Sequence, residues 1–186
     1  MYWCKSHTLP VITLLVGIFL LTGFSSCKPD LKETGPDAKY FDLKGYFKAD
    51  TARLNKLNPF VLKSIAHNGV IESKKVKIAD WGKELDLFIG SDINKPAWKN
   101  SYDVTDNDEF LIYKRKDPSL KMYKMVIRRD KQKVRWILIE NYTKNSLYET
   151  TEKLSYFPDS LYLIEKTQKV RFLGINRYRI QGAIVH

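Results

Sequence analysis

Residues 122–142 read MYKMVIRRDKQKVRWILIENY, and this stretch decides the fold. It holds two runs rich in β-branched and aromatic residues, 122–129 and 134–142, with Asp130-Lys131 between them. Two such runs separated by a short polar turn predict an antiparallel pair. In the first run Tyr123, Met125 and Ile127 alternate with Lys124 and Arg128, which predicts one apolar face. In the second, Val134, Trp136 and Leu138 fall on one side and Ile137 and Ile139 on the other. A strand apolar on both sides is expected near the middle of a sheet, packed on each face.

The pattern extends in both directions. Residues 110–115, 147–157, 161–166, 170–173 and 178–185 are further strand candidates. Asp117-Pro118, Lys144-Asn145, Pro158-Asp159 and Gly174 supply the turns between them. Upstream, residues 60–67 and 70–78 flank Asn68-Gly69, a pair suited to the positive φ angles of a type I′ hairpin. Two helices are predicted. Over 37–58, Tyr40, Leu43, Phe47, Leu54 and Leu57 recur at helical spacing, Asp37 can cap the start, Gly45 weakens the middle, and Pro59 stops it. Over 80–89, Trp81, Leu85, Phe88 and Ile89 share a face behind Asp80. Residues 91–109 read as a long polar connection pinned by Trp98 and Tyr102. The expected fold class is α+β: a curved antiparallel meander of five to six strands plus an N-terminal hairpin, with two helices over its concave face.

The N-terminus carries an address. Residues 11–24, VITLLVGIFLLTGF, are uncharged and nearly all apolar. As a helix they rise about 21 Å, short of a ~30 Å hydrocarbon core. A weakly basic start, this run and then small residues form the layout of a signal peptide. Phe24-Ser25-Ser26-Cys27 resembles the lipobox of bacterial lipoproteins, with Phe24 where leucine is usual. That resemblance covers residues 1–27. It implies a diacylglyceryl group on the Cys27 sulfur and cleavage between Ser26 and Cys27. In enteric members an aspartate after the cysteine retains the protein at the inner membrane, so Lys28 implies the outer membrane. The expected organisation is a removed signal peptide at 1–26, a lipidated tether at 27–36 and a single domain at 37–186. Cys4 leaves with the leader and Cys27 is consumed, so no disulfide is expected.

Charge bounds the partners. The chain carries +11 formally; Lys5 is the one Lys, Arg, Asp or Glu among residues 1–26, so the mature part carries +10. Arg128, Arg129, Lys131, Lys133 and Arg135 concentrate at one turn and form the candidate anion-binding site. In a cytosolic protein such a cluster suggests nucleic acid; an exported, anchored one meets anionic lipid, anionic glycan or an envelope protein instead. No cofactor and no metal are expected. Residues 103–109, DVTDNDE, lack the calcium-loop spacing and its glycine, so they read as a solvated loop. His67 and His186 are too few for a zinc site. Glu140, Glu149 and Glu152 lie on neighbouring strands and read as partners for Lys and Arg. The leading expectation is a non-enzymatic binding or assembly module. The alternatives are a lipid or lipoprotein carrier, which needs an apolar cavity under the helices, and a glycan-acting enzyme, which needs two facing carboxylates.

Overall fold

The computed structural model describes residues 39–131 and 133–185. The expected leader, Cys27, the expected tether, Asp37 and His186 lie outside the described residues. Among the described residues one open antiparallel sheet of nine strands dominates, accompanied by three helices and a 3-10 turn. No helix among the described residues is long and apolar enough to cross a membrane.

The first helix, α1 (Leu43–Leu57), begins where the Asp42 carboxylate accepts from the Gly45 N–H at 2.8 Å. It ends at Asn58, whose left-handed backbone at φ 46° donates its N–H to Leu54. It is therefore shorter than expected, and Gly45 falls in its first turn. Leu43, Phe47, Asp50, Thr51 and Leu54 are buried, whereas Leu57 is exposed and Tyr40 precedes the helix. Tyr40 packs edge-on against Tyr102 and Tyr113 instead. The second expected helix divides at Leu85 into α2 (Trp81–Glu84) and α3 (Asp86–Ile89). Trp81, Leu85 and Phe88 are all fully buried in the core, as their shared face predicts.

The strands are β1 (Phe60–His67), β2 (Val70–Lys77), β3 (Tyr102–Asp106), β4 (Phe110–Arg115), β5 (Met122–Asp130), β6 (Lys133–Lys144), β7 (Tyr148–Phe157), β8 (Leu161–Val170) and β9 (Gly174–Val185). Their order is β2-β1-β9-β8-β7-β6-β5-β4-β3. The meander thus holds seven strands, and the N-terminal hairpin joins it through β1–β9. Asn68 and Gly69 adopt φ 49° and 95°, as the type I′ turn requires.

The strands depart from the sequence expectation at residues 102–106, 123 and 170–173. Residues 170–173 form the end of β8 and a turn, because Val170 pairs with Gly174 and leaves Arg171, Phe172 and Leu173 as the loop. Tyr102–Asp106, read as connection, is an edge strand. In β5 a register shift between Met122 and Lys124 turns Met122 inward and Tyr123 outward, onto the Arg115 guanidinium.

The register builds rows across the helix-covered face. Leu111, Ile127, Ile137, Tyr156, Tyr162 and Gly182 form one; Tyr113, Met125, Ile139, Leu154, Ile164 and Ile180 form the next. Against them pack Phe47 and Phe88, each within 5.8 Å of the Tyr156 ring, and Trp81, 6.1 Å from Tyr162. The other face of β6 is not buried in the same way: Trp136 and Leu138 stay partly exposed, so this interior strand is packed by helices on one side alone, whereas Val134, expected beside them, packs against the core because a register shift between Arg128 and Arg129 skips Arg135. Hydrogen bonds tie helices to sheet. The Tyr156 hydroxyl donates to Asp50, which also binds Arg53; the Tyr162 hydroxyl donates to Glu84 at 2.5 Å, and Lys63 pairs with Glu84 at 2.7 Å. Burial first, then these carboxylates, push both tyrosine pKa values up, so both remain donors.

Candidate functional site at the hairpin tip

The β5–β6 hairpin ends at Asp130, which pairs with Lys133, and Lys131 turns the chain at φ 56°. The β3–β4 turn lies beside it: the Arg129 N–H donates to the Glu109 carbonyl at 2.7 Å. The basic cluster therefore meets the acidic run that the sequence places in a separate loop. Glu109 pairs with Arg128 at 2.7 Å, Asp106 with Arg129 and Asp130 with Arg135. The hydrogen bond and charge of Arg135 hold the exposed Asp130 carboxyl below its ordinary range.

Five cations thus stand among four carboxylates, Asp106, Asp108, Glu109 and Asp130. Lys131 and Lys133 have no ion pair among the described residues. Asp106, Asp108 and Glu109 are the part of this site that sequence reasoning missed. Their signal was the run Asp106-Asn107-Asp108-Glu109 next to a predicted strand, which fits a turn as well as a loose loop. The Asn107 side chain does build that turn, accepting from the Glu109 and Phe110 N–H groups. Arg128, Arg135, Lys131 and their neighbours rim an open depression of about 580 Å³. Pairing does not exhaust an arginine, because a guanidinium has five donors and one carboxylate takes at most two in a fork. Arg128 and Arg135 remain about half exposed.

The other candidates fall apart spatially. Glu152 is buried on the helix-covered face, bound by Lys121 at 2.9 Å and Lys166 at 3.4 Å. Burial raises its pKa, but these two lysines outweigh that and hold the carboxyl below the usual glutamate range. Glu140 and Glu149 lie on the opposite face by strand alternation. Glu140 sits opposite Lys153, and Glu149 accepts from the Tyr142 hydroxyl at 3.0 Å. His67 stacks on Tyr178 at 4.5 Å. Among the described residues no group of three His, Cys, Asp or Glu side chains is placed to hold a metal ion. Comparison with family models, with curated proteins and with solved structures finds no match to this chain.

Proposed function

We propose that the chain is a lipid-anchored protein of the bacterial envelope whose domain binds, without catalysis, an anionic group of envelope lipid or glycan. The observation that carries the binding reading is the depression at the hairpin tip, where Arg128, Arg135 and Lys131 face one open space. Carboxylates hold the arginines in place, so less side-chain entropy is lost on binding. The anchor rests on Ser26, Cys27 and the lipobox around them, and its outer-membrane destination on Lys28.

Two features favour surface binding over the alternatives. A carrier needs empty apolar space between helices and sheet, even if nine strands twist into a curved sheet. Phe47, Trp81, Phe88, Tyr156 and Tyr162 occupy that region. A glycan hydrolase needs two facing carboxylates. Glu152 is separated by the sheet itself from Glu140 and Glu149.

The test titrates the full chain in neutral detergent with two soluble probes, dihexanoyl-phosphatidylglycerol and oligogalacturonate. Arg128→Ala/Lys131→Ala/Arg135→Ala removes three cations that rim the depression, at on the order of 1 kcal/mol each, which predicts roughly a hundredfold weaker binding of whichever probe binds; Lys133 does not line it. Binding must also weaken with salt. An unchanged affinity, or salt-insensitive binding, refutes the site. The intact mass of protein extracted from membranes tests the anchor separately: it must start at Cys27 and carry the acyl mass.

A further inference from the structure

The sheet end opposite the hairpin tip has a different chemistry. The β6–β7 turn and the β8–β9 turn meet there, the Arg171 N–H donating to the Leu147 carbonyl at 2.9 Å. Three apolar side chains project from this junction: Leu147 is 66% exposed, Leu173 80% and Phe172 93%. Tyr148 and Ile175 are exposed just behind them. Next come Lys144, Lys169, Arg171 and Arg177, all exposed and none ion-paired among the described residues. In segments 142–149 and 168–178 the one acidic residue is Glu149, which already accepts from Tyr142.

Phe172 is the telling position. Its backbone lies at φ 70°, the left-handed region that strains a bulky side chain and suits glycine or asparagine. Its ring adds nothing to the core. A residue both strained and fully exposed needs a reason outside the fold. The Arg171 guanidinium, 5.1 Å from the ring centroid, sets a positive charge at its base.

We propose that this end of the sheet is a membrane-seating edge: Leu147, Phe172 and Leu173 enter the acyl boundary of an anionic bilayer while Lys144, Lys169, Arg171 and Arg177 meet its headgroups. The apolar groups protrude from two turn tips and form no groove. Three such side chains offer a few hundred Å², below the ~800 Å² per partner of a standard protein interface. Apolar tips above a basic collar match the layering of a bilayer surface. The inference does not rest on the anion site, and it narrows that site's partner to anionic glycan or to lipid outside the bilayer that holds this edge. Strand β6 spans 12 residues, about 40 Å, so an edge seated in lipid leaves the hairpin tip far from that bilayer.

The experiment places a reporter in the tip of the full chain. Phe172→Trp keeps the apolar aromatic character, and subtracting the unsubstituted protein removes the native tryptophans. Vesicles contain phosphatidylglycerol and phosphatidylcholine in equal parts, with or without brominated acyl chains. The expected result is a blue-shifted residue-172 signal that brominated lipid quenches, with a Lys131→Trp reporter left unquenched. Adding Leu147→Ser/Leu173→Ser should cut the quenching several-fold, and Lys169→Glu/Arg171→Glu should do the same in anionic vesicles. These residues face solvent, so an unchanged melting temperature verifies folding. A water-like, unquenched signal at residue 172 overturns the proposal. A blue shift that grows with protein concentration without vesicles also overturns it, because a second copy then covers the tip.

Discussion

Replacing Gly182 by alanine is a demanding test of the packing described here. Gly182 lies opposite Tyr162 in the β8–β9 register, and the Tyr162 ring covers it. A Cβ at residue 182 would sit well under 3.0 Å from the ring carbons and hydroxyl. The ring cannot yield by simple rotation, because Trp81 packs on it and its hydroxyl is bound to Glu84. Overpacking costs about 1–3 kcal/mol. Displacing the hydroxyl from a charged acceptor costs about 1.5–3 kcal/mol more. The expected loss is therefore about 3–5 kcal/mol, roughly 10 °C in melting temperature for a domain of this size. Urea unfolding followed by tryptophan fluorescence measures it, Trp81 reporting directly on the ring. Tyr162→Phe alone forfeits only the hydrogen bond, so the two substitutions should be less than additive by about 1.5 kcal/mol or more. A loss below about 0.5 kcal/mol for Gly182→Ala, or full additivity, refutes this account.

Other outcomes follow from single contacts. Phe172→Asn should leave stability unchanged or raise it by about 1 kcal/mol, since asparagine tolerates the left-handed backbone; a clear loss in thermal melting contradicts the strain argument. Glu152→Gln should cost about 1–2 kcal/mol, modest because Lys121 and Lys166 can return to water. The folded Glu152 pKa lies below the unfolded one. Its stabilisation is complete above the ordinary glutamate range and disappears as pH falls through the folded value, so acid unfolding of Glu152→Gln should be less steep. Asp50→Asn removes the charge shared by Tyr156 and Arg53 and should destabilise by about 2 kcal/mol in urea, with Tyr156→Phe adding little to it.

Local chemistry was legible in the sequence where it acts over a few residues. Asn68-Gly69, the Asp80 cap and the alternation of Met125 and Ile127 all stand in the structure. Edges and irregularities were not legible. Strand β3 is exposed at all but its first residue, and its alternation is only two apolar residues long, Tyr102 and Val104, at the head of an acidic run. Arg171, Phe172 and Leu173 read as strand because apolar residues usually seek a core, and these do not. The shift at Tyr123 depends on pairing with β6. At the candidate site the five cations and Asp130 were plain, while Asp106 and Glu109, the partners of Arg129 and Arg128, sit about twenty residues upstream and join them only through the fold.

The pairing of β1 with β9 constrains how the chain assembles. Val61 meets Ile184, positions separated by 184 − 61 = 123 residues. During synthesis the β1–β2 hairpin emerges early with one flank unpartnered, and its neighbour emerges last among the strands. So long-range a closure is slow in entropy terms. Until it forms, the unpaired β1 flank is open to wrong partners, and a holdase that covers it until synthesis ends should raise the yield of native protein.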